Sequence, residues 1–195
     1  MKKLLRLFAL LALMLLNLPT AMADSDKTTI QEGADITGIK RLAIGMPLYV
    51  PAEKGDPVKE ELVDIIYKPH GKGRVYVLSY DNVAHEIISA TNINIEILDK
   101  RKAAQIFVEN APKFSDAYVI LTVANNRGID CFFDVYKSGT NELLYTYQIA
   151  TGTQAHGQEL RTVYKDLAES FYINLDESIK AQIREAKKNE NKNKK

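Results

Sequence analysis

Two periodicities divide this chain. Ile129, Cys131, Phe133 and Val135 alternate with Asp130, Phe132, Asp134 and Tyr136, and Leu143, Tyr145, Tyr147 and Ile149 alternate in the same way after the turn residues Lys137 to Asn141. A period of two marks half-buried strands, and tight turns between them predict an antiparallel meander. Ala117 to Ala124 is apolar throughout and predicts its first, central strand, followed by turn residues Asn125 to Gly128. Beyond a glycine-bearing linker at 151–157, Leu160, Val163, Tyr164, Leu167, Phe171, Leu175, Ile179 and Ile183 recur every three or four residues. That spacing predicts one long amphipathic helix from about Gln158 to Ala186, with its stripe laid on a sheet face and Phe171 at the seam.

Upstream, the pattern is more broken. Ile39 to Val50 reads as a buried strand, with Pro47 at its end or at a bulge because proline cannot donate to a ladder. Asp56-Pro57 reads as a helix cap followed by proline at the first helical position, ahead of Val58, Leu62, Ile65 and Ile66, and Pro69, Gly71 and Gly73 close that helix. Arg74 to Tyr80 predicts a short strand. A helix from Asp81 follows, with Val83, Ala84, Ile87 and Ile88 on one face. Ile93, Ile95 and Ile97 alternate with polar residues and predict a further strand. Asp99 then caps a helix that buries Ala103, Ala104, Phe107 and Val108 and ends at Ala111-Pro112. The fold class is α+β, a mixed sheet ending in a three-strand antiparallel meander and packed by helices.

The two ends carry different information. Lys2, Lys3 and Arg6 precede an apolar run from Leu7 to Leu16, and Pro19 precedes the small-residue site Ala21-Met22-Ala23. This succession predicts a cleavable signal peptide over 1–23, removed before Asp24, and a periplasmic or extracellular product. The run is too short to cross a bilayer, so no transmembrane segment is expected after cleavage. Residues 24–38 are polar and read as a flexible lead-in, 39–186 as a single α+β domain, and 187–195 as a disordered basic tail. Removing Lys2, Lys3 and Arg6 takes the net charge from +1 to about −2, and the tail's lysines leave the body from Asp24 to Ala186 near −6. Export and an acidic body argue against a nucleic-acid partner. Contact of the tail with an anionic surface stays open beside the reading of a merely solvated end.

The strand-to-helix step from Asn94 to Arg101, the stretch Phe114 to Ile120, the turn Thr140 to Leu144 and the final amphipathic helix resemble the periplasmic module of the TolB amino-terminal domain and of the curli-secretion protein CsgG. Outer-membrane activators of penicillin-binding proteins and related small exported proteins carry a similar module. The resemblance spans about 39–50 and 81–185, which makes 53–80 an insertion. It implies partner recognition or scaffold work in the cell envelope, without chemistry. This chain lacks the lipidated cysteine that several of those proteins carry.

Candidate chemistry is sparse. Cys131 is the one cysteine and cannot form an internal disulfide, and its strand phase points it inward as an inert thiol. His70, His85 and His156 have no ligand spacing. Asp130 and Asp134 share a polar strand face, with Glu142 or Gln148 across the meander, and solvated carboxylates account for them as well as acid–base work does. Tyr136, Tyr145, Tyr147 and Tyr164 suit a binding platform or a core. Gly71-Lys72-Gly73-Arg74 lacks the glycine spacing of a phosphate loop. No residue is assigned a catalytic, cofactor-binding or metal role, and no cofactor is expected. The expectation is a non-enzymatic interaction or assembly module of the envelope. The alternative is a hydrolase or small-ligand-binding protein with a site drawn from scattered groups such as Asp130, Asp134 and His156.

Overall fold

The computed structural model describes residues 25–125, 128–152 and 156–193. The expected signal peptide at 1–23 therefore lies outside the described residues.

The elements run β1 (Ser25–Ile30), β2 (Arg41–Ile44), α1 (Lys59–Tyr67), β3 (Tyr76–Leu78), α2 (Tyr80–Thr91), α3 (Lys100–Asn110), β4 (Ala117–Asn125), β5 (Ile129–Lys137), β6 (Leu143–Thr151) and α4 (Gly157–Asn193). The six strands form one mixed sheet in the order β1-β6-β5-β4-β2-β3. β4, β5 and β6 make the expected antiparallel meander, and β2 runs parallel to both β4 and β3.

Two crossovers with opposite directions divide the helices between the faces. The step from β2 to β3 passes through α1, and the return from β3 over β2 to β4 passes through α2 and α3. Right-handed crossovers of opposite direction place their helices on opposite sides of a sheet. Accordingly α1 packs beside α4, while α2 and α3 cover the other face, where Phe107 meets Tyr80 and Tyr118. On the α4 side Phe133 stacks on Phe171 with ring centroids 4.5 Å apart and planes 7° from parallel. Ile129, Cys131, Phe133 and Val135 are all buried on that side, in the phase their alternation predicts.

Five expectations are corrected. Within the expected lead-in 24–38, the described residues 25–38 are not free, because β1 pairs antiparallel with β6 from Ser25 to Ile30. Ala34 and Ile36 are buried, and Gln182 of α4 clamps them, accepting from Ile36 N at 2.9 Å and donating to Ala34 O at 2.7 Å. An edge strand has one face and one edge in water, so it needs little apolar sequence to form. The segment Ile93 to Ile97 is no strand. Asn92 stops α2 in the left-handed region (φ 57°), and Asn94 accepts from Glu96 N at 2.9 Å to close a 3₁₀ turn over Ile95–Ile97. Short polar side chains that bond the backbone locally compete with a ladder. α1 begins at Lys59, and Asp56 does not cap it. The expected strand to Val50 ends at Ile44, apart from an isolated bridge between Leu48 and Thr122. The basic end is not disordered as far as Asn193, since α4 continues to that residue.

The segment set apart as an insertion, 53–80, is fastened along α4. Tyr172 donates its hydroxyl to Ile66 O (3.0 Å), Lys72 pairs with Glu169 (2.8 Å) and Arg74 lies 3.5 Å from Asp176. α4 thus buries one side against the sheet and a second against α1 and the turns that follow it.

Candidate functional site

The groups singled out in the sequence fall in separate places. Cys131 has no exposed surface, and burial, followed by the charge of Asp130, pushes its thiol far above the usual range. The thiolate needed for nucleophilic work is thereby disfavoured. Asp130 and Asp134 occupy the face of β5 turned away from α4, where Asp134 accepts from Thr146 Oγ1 at 2.7 Å. Gln148 stands opposite Phe132, between the two aspartates, whereas Glu142 belongs to the turn before β6. Tyr145, Tyr147 and Tyr164 are core residues, and half-buried Tyr136 stacks on Tyr118 at 5.4 Å. His70 stacks on Tyr67, and His85 is exposed on α2. Gly71 to Arg74 forms part of the strap along α4, with Gly73 close against Tyr172 O. Among the described residues, no group of three His, Cys, Asp or Glu is placed to hold a metal ion.

His156 has company that sequence reasoning did not supply. It stands at the start of α4 with Nδ1 3.4 Å from Glu53 and 3.8 Å from Asp56. Asp56 is buried and accepts from Glu53 N (2.9 Å) and from Gly157 N (3.2 Å). It therefore caps α4 from a distant segment, satisfying one of the orphan donors of that helix and opposing its positive end. Burial alone would raise its pKa, but the hydrogen bonds from Glu53 and Gly157, then the nearby charge of His156, outweigh burial and leave it below the usual value. One turn on, Arg161 holds Glu61 through two bonds (2.5 and 2.8 Å) and reaches Gly55 O at 3.0 Å. Such a bidentate pair fixes geometry. The cluster reads as a clasp joining the loop after β2 to the start of α4.

That loop is the surface feature the sequence concealed. Gly45 N donates to Val119 O (2.9 Å), Leu48 N donates to Leu121 O (2.8 Å), and Leu48 O accepts from Val123 N (3.1 Å). Pro47 lacks a donor and sits between these contacts, buried. Tyr49 is buried edge-on against Tyr164 with centroids 5.8 Å apart. Extended backbone alternates its side chains, so anchoring Pro47 and Tyr49 turns their neighbours out. Leu48 is 60% exposed and Val50 78% exposed. Their apolar character suggested a buried strand, and the prolines at 47 and 51 were the signal that the ladder ends first.

Comparison with known proteins gives a weak structural resemblance. No family model matches the chain, and no curated protein matches it. Among solved structures it is similar to the PelC dodecamer from Paraburkholderia phytofirmans, with 10% identity and a TM-score of 0.43 over 78% of this chain and 97% of that one. It is also similar to the LpoB C-terminal domain from Escherichia coli, with 13% identity and a TM-score of 0.43 over 63% of this chain and 89% of that one. At such identity the likeness concerns the arrangement of strands and helices.

Proposed function

We propose that this chain is an exported protein-recognition module of the cell envelope, related to the TolB and CsgG type of module, which works by contact and without chemistry of its own. The observation that carries the reading is the loop after β2. Two backbone bonds to β4 and the buried ring of Tyr49 hold Leu48 and Val50 outward in a fixed conformation. Each side chain left in water forgoes roughly 1.5–3 kcal/mol of burial energy, and a partner surface that covers them recovers it at little ordering cost. The loop is also clasped to α4 through Asp56 and Arg161, so it meets a partner as a preformed element.

Two experiments test the proposal. A photo-crosslinking residue at position 50, introduced in the exporting cell, should trap a discrete envelope protein. The same group at position 104 on α3, which is exposed where the helical spacing predicted burial, should trap much less. Equal trapping at both positions would remove the loop from the account. Mass spectrometry of the envelope fraction should find Asp24 at the amino terminus, and a protein still beginning at Met1 would contradict export by cleavage.

A further inference from the structure

The part of α4 that leaves the core carries an arrangement the sequence alone does not reveal. The helix has 37 residues, about 55 Å at 1.5 Å per residue. The longest strands have nine residues, about 30 Å. Among the described residues, Ile179 is the last buried one of the helix, Gln182 makes its last bonds to the body, and 184–192 are exposed throughout. At 3.6 residues per turn, Arg184, Lys187, Lys188 and Lys192 fall within an arc of about 140°. A charge run becomes a cationic stripe.

The stripe conflicts with helix stability. Arg184, Lys188 and Lys192 succeed one another at i, i+4, where like charges repel and weaken a helix. Among the described residues none of the four is in an ion pair, whereas Lys180, one turn earlier, is held by Asp176 at 2.6 Å and Glu177 at 2.7 Å. The helix dipole favours cations in the last turn, which accounts for Lys192 but not for Arg184 or Lys188 further in. Glu185 three residues before Lys188 and Glu190 three after Lys187 offset part of this repulsion. Arg184, however, has only Lys180, Lys187 and Lys188 as charged neighbours at those spacings, and a local rule broken there points to a group outside the molecule.

We infer that this stripe docks the protein on an anionic phospholipid bilayer. The surface has to be anionic, by charge complementarity. Planarity follows from Glu185 and Glu190, which border the arc on its two sides. A groove lined with phosphates on both flanks of the helix, as in nucleic acid, would meet those carboxylates; a flat surface touches one side and leaves them clear. The stripe holds no large apolar residue, so contact is through charge at the headgroup level, worth about 1 kcal/mol per lysine and sensitive to salt. The body from Asp24 to Ala186, near −6 in net charge, is repelled by the same surface. The helix end therefore meets the bilayer first, and the body is held away from it.

The test separates arrangement from net charge. In the full mature chain, Ala186→Lys with Lys187→Ala and Lys188→Asn with Asn189→Lys keep composition and charge while moving two lysines off the arc. One moved lysine then follows Glu185 by four residues and the other precedes Glu190 by four, spacings that support a helix. Wild type should co-sediment with vesicles of equal parts phosphatidylcholine and phosphatidylglycerol, and salt should release it. The rearranged chain should bind about tenfold or more weakly, from two lysines at about 1 kcal/mol each, while its helical circular dichroism holds or rises. Equal binding by the two chains, equal binding to pure phosphatidylcholine, or tighter binding to duplex DNA than to the anionic vesicles at the same salt would each overturn the inference.

Discussion

Phe171 concentrates the packing of α4 on the sheet. Its ring lies 4.5 Å from Phe133, 5.1 Å from Tyr172 and 6.5 Å from both Tyr145 and Tyr147. Truncation to alanine removes the ring and leaves a cavity bounded by rigid aromatics that collapse poorly. Phe171→Ala should cost about 3–5 kcal/mol in urea unfolding. Glu169→Ala, two residues earlier, should cost no more than about 0.5 kcal/mol, because its partner Lys72 is half exposed and such pairs are screened by water. If Phe171→Ala left stability intact, α4 would not be docked as described. Cys131 is a second residue with a clear expectation. A thiol reagent should label it slowly in the folded protein and quickly once urea unfolds it, since burial withholds both access and the thiolate. Rapid labelling of the folded protein would place it at the surface.

Among the elements, α4 depends on residues distant in sequence. Asp56 caps its first turn and has a folded pKa below its ordinary value. A carboxylate of that kind contributes stability above its unfolded pKa, about 3.9, and the contribution is lost as pH falls through the folded value. Asp56→Asn keeps an acceptor for one of the two amides but loses the charge and the acceptor for the other, so it should cost about 1.5–3 kcal/mol at neutral pH, the range for a hydrogen bond to a charged group. The difference from wild type should narrow as the medium is acidified below about pH 4. A difference that stayed constant down to acid pH would show that the charge of Asp56 is not what holds the clasp. The legibility of the elements follows the same physics. The meander and α4 could be read because their burial is set by alternation along each segment, as at Ile129 to Val135. β1 could not, since Ser25 to Ile30 owes its strand to the backbone of β6. Ile93 to Ile97 alternates convincingly, but Asn92 and Asn94 decide the backbone before any sheet can. The outward turn of Leu48 and Val50 was hidden because it depends on Tyr49 finding Tyr164, more than a hundred residues away.

Considered whole, the molecule is a mixed sheet with α4 along one face and α2 and α3 across part of the other. α4 reaches past the sheet at its far end, and the clasp at its start fixes the loop after β2. The described residues include no helix long and apolar enough to cross a membrane. α4 is the spine on which two exposed features are mounted, an apolar pair on the loop and a cationic stripe on the projecting end. The proposed function rests on Leu48 and Val50 facing outward to meet a protein. The most direct test pairs two readings on the double variant Leu48→Asp, Val50→Asp: unfolding free energy, and capture of the protein crosslinked from position 50. Outward-facing side chains should give a stability change within about 0.5 kcal/mol, as at exposed positions, together with loss of most of the capture. Undiminished capture by a stable variant, or a loss of several kcal/mol showing that these side chains belong to the core, would contradict it.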